Sequence, residues 1–260
     1  MEKKNITVLL PVHKINEDYK EMLLMALDSI DTFYNDVIVS IICPSEVKSE
    51  ISKMDLGQKL TINLITNLGQ TDFCSQVNKG IETCETEWFT ILEVDDIFKP
   101  IWLKSMNEHI NTYNDVDVFL PIIKDVDKDG KFLSFTNESS WAYGFTDQQG
   151  FIDNGTLLEF QNYQISGGLY RTKVIKENGS FKENMKLTFG YEFLLRLTNN
   201  SVKVMTVPRV GYQHVNLRED SLFWSFENEK LTENEVKFWI DSAKKEFFFK
   251  NKREINYVPA

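Results

Sequence analysis

Residues 6–12 read Ile6-Thr7-Val8-Leu9-Leu10-Pro11-Val12, a nearly continuous apolar run that contains a proline close to its end. Such a run is typical of a strand that is buried on both faces within a parallel sheet. A helix is predicted to follow, because apolar residues recur at helical spacing from Tyr19 to Ile30 and Asn16 can cap its start. The first unit is therefore a strand, a loop and a helix.

The same alternation of strand and helix continues up to Pro100. Apolar segments rich in β-branched residues predict strands over residues 37–43, 61–66 and 88–94, and helical spacing predicts a second helix over residues 73–84. Alternating strands and helices imply an α/β fold with a doubly wound, mainly parallel sheet. Such sheets bind ligands at the carboxyl ends of their strands.

Beyond Pro100 the pattern becomes mixed. The predicted elements there are a helix over residues 102–110, a strand over 116–123, a hairpin turned at Asp129-Gly130, helices over 172–178 and 191–199, a strand over 202–207 and a final helix over 236–247. Residues 136–164 lack clear periodicity, which predicts a long loop over a site. The aromatic residues of this stretch are Trp141, Tyr143, Phe145 and Phe151. Most of them are expected in the core, and a few can stack against a flat ring of a ligand.

Composition excludes several classes of protein. The 260 residues include 29 basic and 39 acidic side chains, and a net charge of -10 disfavours non-specific binding to a phosphate backbone. Cys43, Cys74 and Cys84 are an odd, widely spaced set, so we expect reduced thiols and no disulfide framework. No apolar run approaches the roughly 18 residues of a membrane span, so a soluble, cytoplasmic protein is expected.

An acidic run, Glu93-Val94-Asp95-Asp96, follows directly on the fourth predicted strand. Carboxylate oxygens are the ligands that Mg²⁺ and Mn²⁺ prefer, and a metal that bridges diphosphate oxygens stabilises a nucleoside diphosphate leaving group. Taken alone, the run has a second interpretation, because acidic residues often end strands as turn formers or helix caps. Other motifs are needed to decide between them.

Six segments, in order, resemble the nucleotide-sugar glycosyltransferases of family 2, which have the GT-A fold. These segments are Ile6–His13, Asn67–Gly69, Asn78–Ile81, Ile91–Asp96, Ile165–Arg171 and Gly179–Asn184. The resemblance implies a GT-A type, Rossmann-like sheet with a mixed acceptor-side half and a C-terminal helical tail. It also implies a metal-dependent enzyme that moves a sugar from a nucleotide-sugar, with a UDP-sugar as the expected donor, to an acceptor hydroxyl.

The resemblance also divides the chain and assigns residues. A glycosyltransferase domain is expected over residues 1–222, with a nucleotide-sugar-binding half over 1–100, an acceptor half over 101–222 and a helical extension over 223–260. The implied donor-binding residues are Pro11, His13, Asn67, Gly69, Asn78, Lys79, Glu93, Val94, Asp95 and Gly168. The implied ligands of Mn²⁺ or Mg²⁺ are Asp95, Glu93 and His214, and Asp96 and Glu192 are the implied catalytic residues. The Glu93-Val94-Asp95 segment corresponds to the family's DxD motif.

Three positions depart from the family pattern. Glu93 stands where Asp is usual, which makes Asp95 the first choice of metal ligand, and Cys43-Pro44-Ser45 stands where the family commonly has an Asp pair for the nucleoside. Gly190 aligns with the usual general base and cannot accept a proton. Either Glu192 takes that role and transfer inverts configuration, or the enzyme lacks the base and retains it, or the chain only binds nucleotide-sugars. Glu192 can also serve merely to complete a helix N-terminus.

Other interpretations are weaker. His214 can be a structural histidine instead of a ligand, and nucleotidyl transfer would need a glycine-rich loop that residues 13–16 lack. Asp125, Asp127, Asp129 and Gly130 match half of a calcium-binding loop, whose last position is Thr136 where a Glu is required. The acceptor is left open among a glycan, a lipid-linked glycan, a protein and a modified nucleic acid, and the oligomeric state is not predicted.

Overall fold

The computed structural model describes residues 3–68, 71–216 and 232–256. The strands are β1 (Asn5–Pro11), β2 (Asp36–Cys43), β3 (Thr61–Thr66), β4 (Trp88–Ile91), β5 (Ile97–Phe98), β6 (Val118–Val126), β7 (Phe132–Thr136), β8 (Phe151–Ile152), β9 (Leu169–Arg171) and β10 (Val204–Val215). The helices are α1 (Glu17–Asp28), α2 (Ser45–Ile51), α3 (Phe73–Thr83), α4 (Trp102–Thr112), α5 (Asn154–Glu159), α6 (Thr172–Asn178), α7 (Phe189–Asn199) and α8 (Glu233–Glu246), with a 3₁₀ turn at Glu138–Trp141.

Within the described residues, ten strands form one sheet. Its order is β3-β2-β1-β4-β9-β6-β10-β5, with β7 paired to β6 and β8 paired to β10. The pairs within β3-β2-β1-β4 are parallel, and β6 and β10 are parallel to each other. The short strands β5, β7, β8 and β9 pair antiparallel. The prediction of a mainly parallel sheet with a mixed second half is confirmed.

The first strand and helix form as the sequence predicts. Every residue of β1 after Asn5 is buried, as expected for a central strand of a parallel sheet. The side chain of Asn16 accepts a hydrogen bond from the backbone N–H of Tyr19 at 2.9 Å, which caps α1. Helix α2 was not predicted; it follows Pro44 and buries Val47 and Ile51, which lie one turn apart.

Residues 136–164, which are predicted as a loop over the site, contain a 3₁₀ turn, β8 and α5. Trp141 donates its indole N–H to the carbonyl oxygen of Thr206 at 2.9 Å, and Phe151 pairs with Met205 near the start of β10. These contacts hold the middle of the segment at the amino-terminal half of β10, whereas its ends, Thr136 and Gln164, hydrogen-bond to Asp125, the register partner of His214. Phe145 packs on Phe160, so Tyr143, 99% exposed, is the one ring of the four that is fully in solvent.

The hairpin at Asp129-Gly130 is confirmed, because β6 and β7 pair antiparallel around it. The carboxylate of Asp127 accepts the backbone N–H groups of Asp129 and Lys131, at 3.0 and 2.9 Å, and so forms the turn. Gly130 has a φ of 79°, which a glycine adopts without strain. This geometry is that of a tight turn.

The C-terminal helix α8 packs against the body of the protein. Trp239 and Ala243 of α8 and Phe247 after it are buried, which confirms the predicted final helix. The predicted domain boundary at residue 222 lies outside the described residues. Among those that are described, no helix is both long and apolar enough to cross a membrane. The three cysteines are buried free thiols, as expected, and burial raises the pKa of Cys43 to about 11.

Gly211 permits an irregular stretch of β10 on which the site depends. The register of β10 against β6 shifts between Thr206 and Tyr212. A Cβ on Gly211 would lie 2.2 Å from the ring of Trp102, which is fully buried. We therefore expect Gly211→Ala to lower the free energy of unfolding by about 1–3 kcal/mol through overpacking.

Urea denaturation of Gly211→Ala beside Gly190→Ala measures this effect. A Cβ at position 190 would meet Ile165 at an ordinary 3.5 Å, and alanine is a better helix former than glycine. The control variant should therefore be at least as stable as the native protein. Equal stability of the two variants would contradict the packing argument.

Candidate active site

Two carboxylates and one imidazole meet at the carboxyl edge of the sheet. Glu93 and Asp96 follow the end of β4, and His214 is the penultimate residue of β10. One ligand atom from each of them lies within 4.8 Å of the others. Glu93 and His214 are thus brought together as predicted, and Asp96, predicted as a catalytic residue, is the third member of the group.

Asp96 orients the imidazole of His214. Its carboxylate is 1% exposed, with Oδ2 3.0 Å from Nδ1 of His214 and Oδ1 accepting the backbone N–H of Val215 at 2.8 Å. When Nδ1 carries the proton, Nε2 is the nitrogen that can bind a metal. This is the arrangement in which a carboxylate accepts the Nδ1 proton of a histidine and so orients its Nε2 towards a metal.

Glu93 is held at both its backbone and its carboxylate. Its backbone N–H donates to the hydroxyl of the buried Tyr212 at 3.0 Å, and its Oε1 accepts the hydroxyl of Ser166 at 2.6 Å. Asp95 is partly exposed between Glu93 and Asp96. Its charge acts on both Glu93 and His214, which shows that it lies close to the group.

The electrostatics of the group favour a cation. Burial and the neighbouring Asp96 raise the pKa of Glu93 to about 7, although His214 opposes that shift. Burial disfavours the charged imidazole, but Asp96, Glu93 and Asp95 outweigh it and raise the pKa of His214 to about 10. In the absence of a metal the imidazole is therefore protonated, and it would have to release this proton to bind a cation through Nε2. Oxygen ligands with one imidazole fit Mn²⁺ or Mg²⁺.

Several implied donor-binding residues lie at the same edge of the sheet. Pro11 ends β1, His13 follows two residues later, Asn67 follows β3 directly and Gly168 precedes β9. The imidazole of His13 is 3.3 Å from the hydroxyl of Tyr19, and the amide of Asn67 donates to Ser75 at 2.8 Å. Val94 is buried within the acidic turn, and Gly69 lies outside the described residues.

Asn78 and Lys79 do not face the site. The side-chain amide of Asn78 donates to the carbonyl of Phe181 at 2.8 Å and accepts its N–H at 2.9 Å. Lys79 pairs with Glu82 on the helix surface at 2.8 Å. Their assignment to donor binding stays a prediction, and their side chains have partners within the fold.

Glu192 is locked in a buried ion pair. Its Oε1 lies 2.9 Å from Nε of Arg196 and 3.0 Å from Nζ of Lys182, and its Oε2 accepts Nη2 of Arg196 at 3.1 Å. Glu192 and Arg196 are 0% exposed. A base must reach the acceptor hydroxyl within hydrogen-bond distance, and this geometry argues against Glu192 in that role.

Gly190 faces the acceptor-side segment without a carboxylate. It lies in the first turn of α7, and a Cβ added to it would meet the side chain of Ile165. Ile165 precedes Ser166, which holds Glu93. A side chain at position 190, where the resemblance puts the base, would therefore meet the residue that precedes Ser166.

Sequence reasoning missed Tyr212 and Ser166 as supports of Glu93. Ser166 lies within a segment that the resemblance singles out, but nothing in the sequence shows which side chain its hydroxyl contacts. Tyr212 is two residues before His214, and its direction depends on the irregular register of β10. Such long-range contacts have no local periodicity from which to predict them.

A doubly wound sheet that presents acidic residues and a histidine at its carboxyl edge defines an α/β protein with a ligand site at that edge. Residues 45–178, just over half of the chain, match the model of glycosyl transferase family 2, and the chain belongs to this family. No curated protein matches the chain in sequence.

Solved structures show the same fold at low sequence identity. S. aureus TarS 1–349 in complex with UDP-GlcNAc has a TM-score of 0.64 and 15% identity over 91% of this chain and 64% of that one. The mannosyltransferase PcManGT from Pyrobaculum calidifontis, in complex with GDP-Man and Mn²⁺, has a TM-score of 0.61 and 10% identity over 95% and 70%. In two matches to TarS 1–349 this chain spans only 60% and 64% of its length.

Proposed function

We propose that this chain binds a nucleotide-sugar with a divalent cation at the carboxyl edge of its sheet and transfers the sugar to an acceptor hydroxyl. The observation that carries the proposal is the meeting of Glu93, Asp96 and His214 within 4.8 Å in a chain of family 2. A UDP-sugar is the proposed donor. The complexes of TarS with UDP-GlcNAc and of PcManGT with GDP-Man and Mn²⁺ support a nucleotide-sugar and a cation.

Each residue has a separate part in the proposed reaction. Glu93, Asp95 and His214 would hold Mn²⁺ or Mg²⁺, and Asp96 keeps His214 in place. A cation held there would supply positive charge to the diphosphate leaving group. Pro11, His13, Asn67 and Gly168 line the donor side of the same edge. The Tyr212 hydrogen bond fixes the backbone from which Glu93 projects.

A screen of nucleotide-sugars by thermal unfolding tests the proposal. A ligand that binds only the folded protein raises the melting temperature of that protein. The rise grows with the ratio of the ligand concentration to the dissociation constant. We expect a UDP-sugar with MnCl₂ to raise the melting temperature, and EDTA to abolish the rise. Release of UDP then measures turnover. No rise with any UDP- or GDP-sugar, with or without MnCl₂, would contradict the proposal.

A nucleotide-sugar-binding module without transfer is the second candidate function. One observation favours it, namely that Gly190 provides no carboxylate next to the acceptor-side segment. A retaining transferase that needs no such base is also compatible with this glycine. The three functions differ in what a carboxylate at position 190 would do.

We expect Gly190→Asp to raise hydrolysis of the donor by water by about a hundredfold, the lower end of the range for general-base catalysis. The side chain can enter because the nearest atoms to a Cβ there are 3.5 Å away. Gly190→Asn is the matched control, since it has the same shape without the carboxylate. Equal rates in the two variants would show that the missing base does not limit turnover.

A further inference from the structure

The backbone next to Ser166 is held by two hydrogen bonds. The next residue, Gly167, donates its N–H to the carbonyl of Ile91 at 2.9 Å and accepts the indole N–H of Trp102 at 2.8 Å. Gly167 has a φ of 69°, and a Cβ on it would lie 2.4 Å from the ring of Tyr212. The segment can therefore neither carry a side chain at position 167 nor shift without breaking these contacts.

The hydroxyl of Ser166 makes its hydrogen bond from this fixed position. It donates to Oε1 of Glu93 at 2.6 Å, and the serine itself is 7% exposed. A charge-assisted bond of this length is among the stronger kinds of hydrogen bond. The other end of Glu93 is tied by its backbone N–H to Tyr212. Both the backbone and the carboxylate of Glu93 are thus held in place.

The length of the Glu93 side chain fits this arrangement. Aspartate would be one methylene shorter, which withdraws the carboxylate by about 1.5 Å, the length of one carbon–carbon bond. A contact of 2.6 Å would then open to a distance at which no hydrogen bond forms. Glutamate at this position is therefore matched to the serine.

We propose that Ser166 is a positioning residue for the cation site, and that it acts as one unit with Glu93. The inference rests on the proposed function, because it requires that the Glu93 group binds a divalent cation. It deepens that function by joining the acceptor-side segment to the cation ligands. It also predicts that the aspartate usual in the family is inferior to glutamate in this chain.

Calorimetric titration with MnCl₂ alone tests the proposal in Ser166→Ala, Glu93→Asp and the double variant. Outer-shell partners of metal ligands typically change metal affinity by 10- to 100-fold, and we expect each single variant to bind Mn²⁺ at least about tenfold more weakly. Because the two residues act together, the double variant should be no weaker than the worse single one. Ser140→Ala, which removes a fully buried hydroxyl elsewhere, should bind as the native protein does.

The outcomes separate this inference from the proposed function. If the native protein does not bind Mn²⁺, the cation assignment fails and the inference fails with it. If the native protein binds Mn²⁺ and Ser166→Ala binds it equally well, the inference alone is overturned. Tighter binding by Glu93→Asp would overturn it as well, even if Ser166→Ala did not fold. Thermal unfolding of each variant verifies that the protein titrated is folded.

Discussion

Asp95→Ala is expected to lower turnover of a nucleotide-sugar by at least about a hundredfold. Removal of one preorganised group that stabilises charge in the transition state typically has an effect of this size. Asp95 is the partly exposed carboxylate of the acidic run, and its charge acts on both Glu93 and His214. Removal of its carboxylate takes one ligand from the cation and leaves the diphosphate less neutralised. Release of UDP at saturating donor, measured over a range of MnCl₂ concentrations, gives the effect.

Asp96→Asn serves as the contrast to Asp95→Ala. Asparagine keeps the shape of a side chain that accepts the N–H of Val215, but it removes the charge beside His214. Because Asp96 acts through His214, we expect a 10- to 100-fold loss of metal affinity that excess MnCl₂ overcomes. Excess metal should not rescue Asp95→Ala. Equal behaviour of the two variants would make Asp96 a direct ligand. Asp129→Ala, which removes a carboxylate in the hairpin turn, is the control and should behave as the native protein does.

The long elements could be predicted because their signals are local. Strand β1 is apolar along its length, and α1 carries both a helical stripe and a capping Asn16. Strands β5 and β9, with two and three residues, are too short for any periodicity to show. The contacts that order residues 136–164 could not be predicted, because anchors such as the bond from Trp141 to Thr206 span 65 positions.

The site could be predicted only in part for the same reason. Parallel strands end at one edge, so the pattern correctly predicts that residues after β1, β3 and β4 gather there. Spacing identified Glu192 as an acidic residue near the expected base, but it does not show that Lys182 lies against it. The contact between Asp96 and His214, 118 positions apart, depends on how β10 shifts its register.

Glutamine at position 192 is expected to lower the free energy of unfolding by about 3–5 kcal/mol, the typical cost of breaking a buried ion pair by removing one partner. Lys182 is 2% exposed, and Glu246, the other carboxylate near it, is 5% exposed. Two buried cations and two buried carboxylates therefore balance in the native protein. The neutral amide cannot replace the lost charge beside Lys182 and Arg196, and Glu246, the carboxylate 3.8 Å from Lys182, also pairs with Arg253.

Urea denaturation measures the loss, with Glu177→Gln as the matched control. Glu177 lies 3.9 Å from Lys173 in an exposed pair one helical turn apart, and such pairs contribute little to stability. The control should therefore unfold close to the native midpoint. An equally small change in Glu192→Gln would show that the buried network does not stabilise the fold.

The same variant decides between the two roles of Glu192. Arg196 also donates to the carbonyls of Asn178, Gly179 and Ser180, so its guanidinium joins the start of the 179–184 turn to α7 whether or not Glu192 is charged. Under conditions where the variant is folded, donor turnover per folded molecule should thus stay near the native value. A loss of turnover at unchanged stability would instead identify Glu192 as the base. If Glu192 only forms a structural ion pair, Glu192→Gln should lose stability and keep its turnover.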